Sequence, residues 1–117
     1  MRRLEAIDLA RRAVELASEK QASNIVLLDV RDLCSFTDYF VICAGDSERQ
    51  TRTIQDEIWQ SLKREGVNPH HHEGTADSGW LLLDYGDVIV HIFGAEQRDY
   101  YKLDELWRDA KTVLRIQ

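Results

Sequence analysis

Proline is almost absent from this chain: one residue, Pro69, among 117. That excludes a proline-rich linker or a low-complexity tail, and no internal repeat is visible either. Cysteine is nearly as scarce, with only Cys34 and Cys43. Two thiols that do not form a CxxC are too few for a disulfide framework in a chain with its own core. Cys43 lies in an apolar run and reads as a small buried hydrophobe. Cys34 lies in a loop with no neighbouring histidine to activate it. A reducing, cytoplasmic compartment is expected. No apolar run approaches the about 20 residues that cross a bilayer. Arg2 and Arg3 are followed by Glu5, Asp8, Arg11 and Arg12, which interrupt the apolar stretch a signal peptide needs. Excess positive charge is missing too. The net charge is −6, so the footprint of a general nucleic-acid binder is not there. An acidic balance suits a basic protein partner, and it equally serves solubility.

What is present is the composition of a folded globular chain: 44% hydrophobic and 31% charged residues, enough apolar material for one core. Residues 1–117 read as a single domain. Residues 3–20 carry Leu4, Ile7, Leu9, Val14 and Leu16 with four alanines at helical spacing. Strands are expected at 24–30 and 38–44, the second nearly all apolar and therefore central. Gly45-Asp46-Ser47 then opens a helix. Ser47 and Gln50 have the S-x-x-Q spacing of a capping box, and Gly66 and Pro69 mark the stop. A short strand at 70–74, strands at 79–84 and 87–93, and a helix at about 96–114 complete the order. The last helix rests on Tyr100, Leu103, Trp107, Ala110 and Leu114. The pattern α-β-β-α-β-β-β-α predicts the α/β class: a mixed sheet of about five strands flanked by helices.

The segment from Glu73 to Trp107 is the most informative. With Tyr85-Gly86 as a two-residue turn, Leu83 faces Val88, Leu81 faces Val90 and Gly79 faces Ile92, an aliphatic side suited to the core. On the other side Asp84 meets Asp87, Leu82 meets Ile89 and Trp80 meets His91, with Phe93 beyond. This second face mixes aromatic, acidic and imidazole groups, as a recognition surface does. A packing role would instead put Trp80 under a helix and His91 on a backbone carbonyl.

Four pieces carry a resemblance: DYFVICAGDSERQ from Asp38 to Gln50, Glu73-Gly74 followed by Trp80, LDYGDVIVHIF from Leu83 to Phe93, and R-x-x-Y-x-L-x-x-L-W from Arg98 to Trp107. In this order they closely resemble the ribosomal silencing factor family, also called Iojap-like or RsfS. The resemblance covers nearly the whole chain. It implies a nucleotidyltransferase-like α/β topology without established catalytic activity or required cofactor. It also implies binding to the large ribosomal subunit through universal large-subunit protein fourteen, and steric blocking of the small subunit under nutrient limitation. Homodimers occur in the family. The partner-binding surface it implies maps to Trp80, Asp84, His91, Arg98 and Tyr101.

Other readings compete. Gly45-Asp46-Ser47 after a strand and before a helix fits the phosphate-contacting turn of a nucleotidyltransferase-like nucleotide-binding enzyme. That chemistry needs paired carboxylates for magnesium. Asp56 and Glu57 are adjacent on a helix and point apart, whereas Asp84 and Asp87 flank a late turn. Ser47 therefore reads as a helix cap. His70, His71, His72 and Glu73 offer metal-binding types, but consecutive histidines do not match structural zinc spacing, and a solvated strand end is expected. The first helix has mixed charge on its polar side, not the basic band of a membrane-surface helix. Arg49 and Arg52 alone make a weak RNA patch. No metal and no membrane partner are expected.

Overall fold

Small residues let the first helix lie close to the sheet. In the computed structural model, which describes residues 5–96 and 108–116, α1 spans Ala6–Glu19. It buries Leu9, Ala10, Ala13, Val14, Leu16 and Ala17, a single i, i+4, i+7 stripe. Two strands follow: β1 (Ser23–Asp29) and β2 (Tyr39–Gly45), the latter buried along its whole length. Helix α2 (Glu48–Arg64) starts where the Ser47 hydroxyl accepts the Gln50 backbone N–H at 3.1 Å. The Gln50 side chain reaches back one residue further than the capping-box pattern, accepting the Asp46 N–H at 2.6 Å. At the other end Gly66 has φ 88°. Its N–H reaches the Lys63 carbonyl at 3.0 Å, and the Val67 N–H reaches Leu62 at 2.8 Å. This paired closure satisfies carbonyls the helix cannot. The short strand β3 (His71–Glu73), a 3₁₀ turn (Ala76–Ser78) and the hairpin β4 (Trp80–Asp84) and β5 (Val88–Gly94) come next, and β6 (Lys111–Ile116) is last.

Among the described residues six strands form one sheet in the order β3-β4-β5-β2-β1-β6. The β2–β5 pair is parallel and the other neighbours are antiparallel. Helices α1 and α2 cover one face, over Ile25, Leu27, Val41, Cys43, Leu83, Val90 and Ile92. The opposite face holds a second cluster of Val26, Leu28, Val30, Phe40, Ile42, Ile89 and Phe93.

Two expectations change. The chain from Lys111 to Ile116 is an edge strand, not the end of a helix. It pairs with β1, with one register irregularity beside Leu27 and Leu28. Thr112, Val113 and Ile116 are β-branched and favour the extended chain, a preference hidden by the helical spacing of Ala110 and Leu114. Residues 97–107 of the expected helix lie outside the described residues. The hairpin also closes one step later than expected. Tyr85 donates its N–H to the Val88 carbonyl at 2.8 Å, leaving Gly86-Asp87 as the turn, with Gly86 at φ 86°. Trp80 therefore stands opposite Phe93, Leu82 opposite His91 and Asp84 opposite Ile89. The partners move by two residues, an even number, so the side chains of β4 and β5 keep their expected faces, while Tyr85 leaves the turn and Asp87 enters it.

A candidate recognition face on the hairpin

Trp80 opens β4 and is half-buried. Its indole N–H donates to His91 Nδ1 at 3.2 Å. An indole nitrogen is only a donor, so Nδ1 is the acceptor and a neutral His91 carries its proton on Nε2. The Trp80 ring leans on Phe93 at 5.0 Å between centroids, and Phe40 meets His91 edge-on at 5.1 Å and 87°. Tryptophan thus projects from a bed of buried aromatic groups rather than from a mobile loop. His91 itself is 6% exposed, so its ring is packed among Phe40, Trp80 and Phe93 rather than open to a partner.

The backbone leading to Trp80 is equally constrained. Gly74 sits at φ 86°, and a Cβ there would stand 2.0 Å from the Trp80 carbonyl oxygen. Only glycine fits. The Ser78 hydroxyl donates to the Thr75 carbonyl at 2.7 Å and closes the 3₁₀ turn immediately before Trp80. An open cleft of about 380 Å³ beside the indole is lined by Glu73, Gly74, Ser78, Trp80 and Leu82.

Asp84 lies four residues along β4 from Trp80 on the same face, about 13 Å away at normal strand rise. Its carboxylate accepts the Gly86 N–H at 2.8 Å and so helps fix the turn. The structure brings Trp80 and His91 together and sets Asp84 at the far end of the strand. Arg98 and Tyr101 lie outside the described residues. Phe93, Phe40 and Gly74 hold the site in place. The sequence signals for this support were the Glu73-Gly74 pair ahead of a tryptophan and the placing of Phe93 on the same face as Trp80.

A second concave region lies where the parallel strands β2 and β5 end, at the start of α2, with a volume of about 220 Å³. This is the position for a phosphate in an open α/β sheet. Its walls include Asp46, Glu48, Asp77 and Glu96. The Thr75 hydroxyl donates to Asp77 and holds that carboxyl below its ordinary pKa. Four carboxylates repel a polyphosphate, and the Asp46 amide is already taken by Gln50. On α2, Glu57 accepts from Ser61 at 2.8 Å and pairs with Lys20 at 3.4 Å. His71 pairs with Glu73 at 2.8 Å, while the His72 ring packs on Trp59 at 4.5 Å. Among the described residues no three metal-ligating side chains cluster, and no helix is long and apolar enough to cross a membrane.

Fold and site together define an α/β domain with a mixed six-stranded sheet and a preorganised aromatic group on one hairpin. The chain belongs to the ribosomal silencing factor family. The family model described as "Ribosomal silencing factor during starvation" matches residues 3–117. The ribosomal silencing factor RsfS of Halalkalibacterium halodurans is 37% identical over 106 residues, spanning 91% of each chain. That of Bacillus subtilis is 38% identical over 98 residues, spanning 84% of this chain and 83% of the relative. The chloroplastic protein Iojap of Zea mays is 32% identical over 109 residues, which are 93% of this chain and 47% of that protein. A crystal structure from Chromobacterium violaceum superposes with a TM-score of 0.85 at 32% identity, covering 89% of this chain and 87% of the other.

Proposed function

We propose that this protein is a ribosomal silencing factor acting in the cytoplasm as one domain. It binds the large ribosomal subunit through universal large-subunit protein fourteen, occupies space the small subunit needs, and represses translation when nutrients are limiting. It does so without catalysis or a required cofactor. Relatives of that name across most of the chain support the class of function. The observation that carries the docking site is the Trp80 indole, half-buried and oriented by a buried histidine on a rigid sheet. An aromatic group fixed before binding loses little entropy on contact, which is the behaviour of an interface hot spot. Steric blocking requires a tight patch and bulk rather than a reactive group. A standard interface of about 800 Å² per partner is within reach of one small domain. The net charge of −6 favours encounter with a basic ribosomal protein. On this reading Trp80 and Asp84 face the partner, His91 positions Trp80, and Arg98 and Tyr101 add contacts.

The test uses isolated large subunits. Wild-type protein should sediment with them and prevent joining to small subunits. Trp80→Ala should lose sedimentation while its circular dichroism and melting stay near wild type. Wild type that sediments with large subunits yet permits joining would refute silencing. A Trp80→Ala protein that unfolds would instead show the indole to be structural.

A further inference from the structure

The loop joining β1 to β2 exposes two large apolar side chains: Leu33 at 46% and Phe36 at 65%. Exposed single hydrophobes are common on any surface, but these stand three residues apart on a loop that is firmly held. Val30 donates its N–H to the Asp38 carbonyl at 2.9 Å, and Leu33 donates to Val30 at 3.0 Å. The Asp38 and Tyr39 N–H groups reach the Asp87 carbonyl at 2.9 and 3.1 Å, tying the loop to the β4–β5 turn. Thr37 is buried beside Phe36. Cys34, between the two apolar residues, packs against the sheet-face cluster that also takes Trp80 and Leu82. Through Cys34 the loop reaches the side of the sheet that carries Trp80. The loop and Trp80 lie at opposite ends of β5, about 20 Å apart at normal strand rise. An 800 Å² footprint is about 30 Å across and spans both.

The charge around the loop selects the partner. Asp32 and Asp87 are exposed and Asp38 and Asp84 are half-buried. Arg31 is tied to Asp29 through two hydrogen bonds of 3.0 and 2.8 Å, and Lys111 stands opposite Asp29 in the sheet. Asp38 also lies in the field of Arg31, whereas Asp32, Asp84 and Asp87 form no ion pair among the described residues. An acidic rim around an apolar centre repels nucleic-acid phosphates and attracts a basic protein.

We propose that Leu33 and Phe36 form a second contact point of the large-subunit docking surface, seated in an apolar recess of a basic protein. This rests on the silencing-factor reading above and extends its site to the far end of the hairpin. The experiment measures affinity for isolated large subunits of wild type, Leu33→Ser/Phe36→Ser and Trp80→Ala. The double variant should bind at least about tenfold more weakly, as loss of an interface hot spot does, with melting unchanged because both side chains lie outside the core. Phe36→Ser alone repeats the test on the more exposed residue should the double variant melt early. Unchanged affinity of the loop variants beside a weakened Trp80→Ala would overturn this inference and leave the silencing reading standing. Absence of wild-type binding would remove both. Wild-type binding to protein-free ribosomal RNA as tight as to whole subunits would overturn the choice of a basic protein.

Discussion

The two faces of the sheet are built from different chemistry. Under α1 and α2 the strands present aliphatic groups, Leu81, Leu83, Val88, Val90 and Ile92 from the hairpin among them. The same two strands turn Trp80, Leu82, Asp84, Ile89, His91 and Phe93 to the other side. An aliphatic face needs only volume and shape, and similar side chains can replace one another there. The aromatic face contains a directional hydrogen bond and a buried imidazole, which packing alone does not require. Burying a polar ring is costly unless its partners are supplied. Both sides of the hairpin thus help hold the fold together, and the aromatic side also holds an indole in one orientation.

The largest expected effect comes from truncating one residue on each face. Ile92→Ala and Phe93→Ala both remove fully buried side chains and should each cost about 2–5 kcal/mol in denaturant unfolding. Their consequences for recognition should diverge. Below its melting temperature Ile92→Ala should bind large subunits normally, whereas Phe93→Ala should bind weakly because Trp80 loses the ring it leans on. Equal binding by the two would erase the distinction between the faces.

A smaller effect is expected at His91. Only an imidazole with a lone pair on Nδ1 accepts the Trp80 indole proton in the observed geometry. His91→Phe removes that acceptor while keeping most of the packing, so the Trp80 indole N–H signal in NMR should move and binding to large subunits should weaken. An indole signal and an affinity unchanged by His91→Phe would show that the bond does not orient Trp80.

The smallest effect lies outside both faces. Arg31 holds the Asp29 carboxyl below its ordinary value of 3.8, chiefly through the side-chain hydrogen bond. The folded chain therefore binds that proton less readily than the unfolded chain. Its contribution to stability is present above the unfolded pKa and is lost as pH falls through the folded one. Arg31→Met should lower the melting temperature slightly at neutral pH, and the difference should disappear in strong acid. Both residues are near the surface, where such pairs contribute little.

Much of this was legible in the residues. The alanine-rich stripe of α1, the Ser47 cap and the Gly66 stop are local signals with local causes. The faces of β4 and β5 were also legible, because a period of two survives any even change of register. The register itself was not. Tyr85 buries its ring on the helix side and so continues the ladder by one pair. Asp84 then caps the Gly86 amide and moves the turn to Gly86-Asp87. Neither cause is visible without knowing what Tyr85 packs against. The strand at Lys111–Ile116 was hidden for a similar reason: its pairing partner, β1, lies far back in the chain. At the candidate site, Trp80 and His91 stood out by type. Their bond, the burial of His91 and the close approach of Gly74 to the Trp80 carbonyl are products of tertiary placement.

Photo-crosslinking from position 80 in complexes with purified large subunits tests the recognition role of the aromatic face most directly. A photoreactive side chain there should attach to a basic ribosomal protein on the surface that receives the small subunit, and excess wild-type protein should compete the product away. Complexes that sediment intact but yield only links within the protein's own chain would contradict the account.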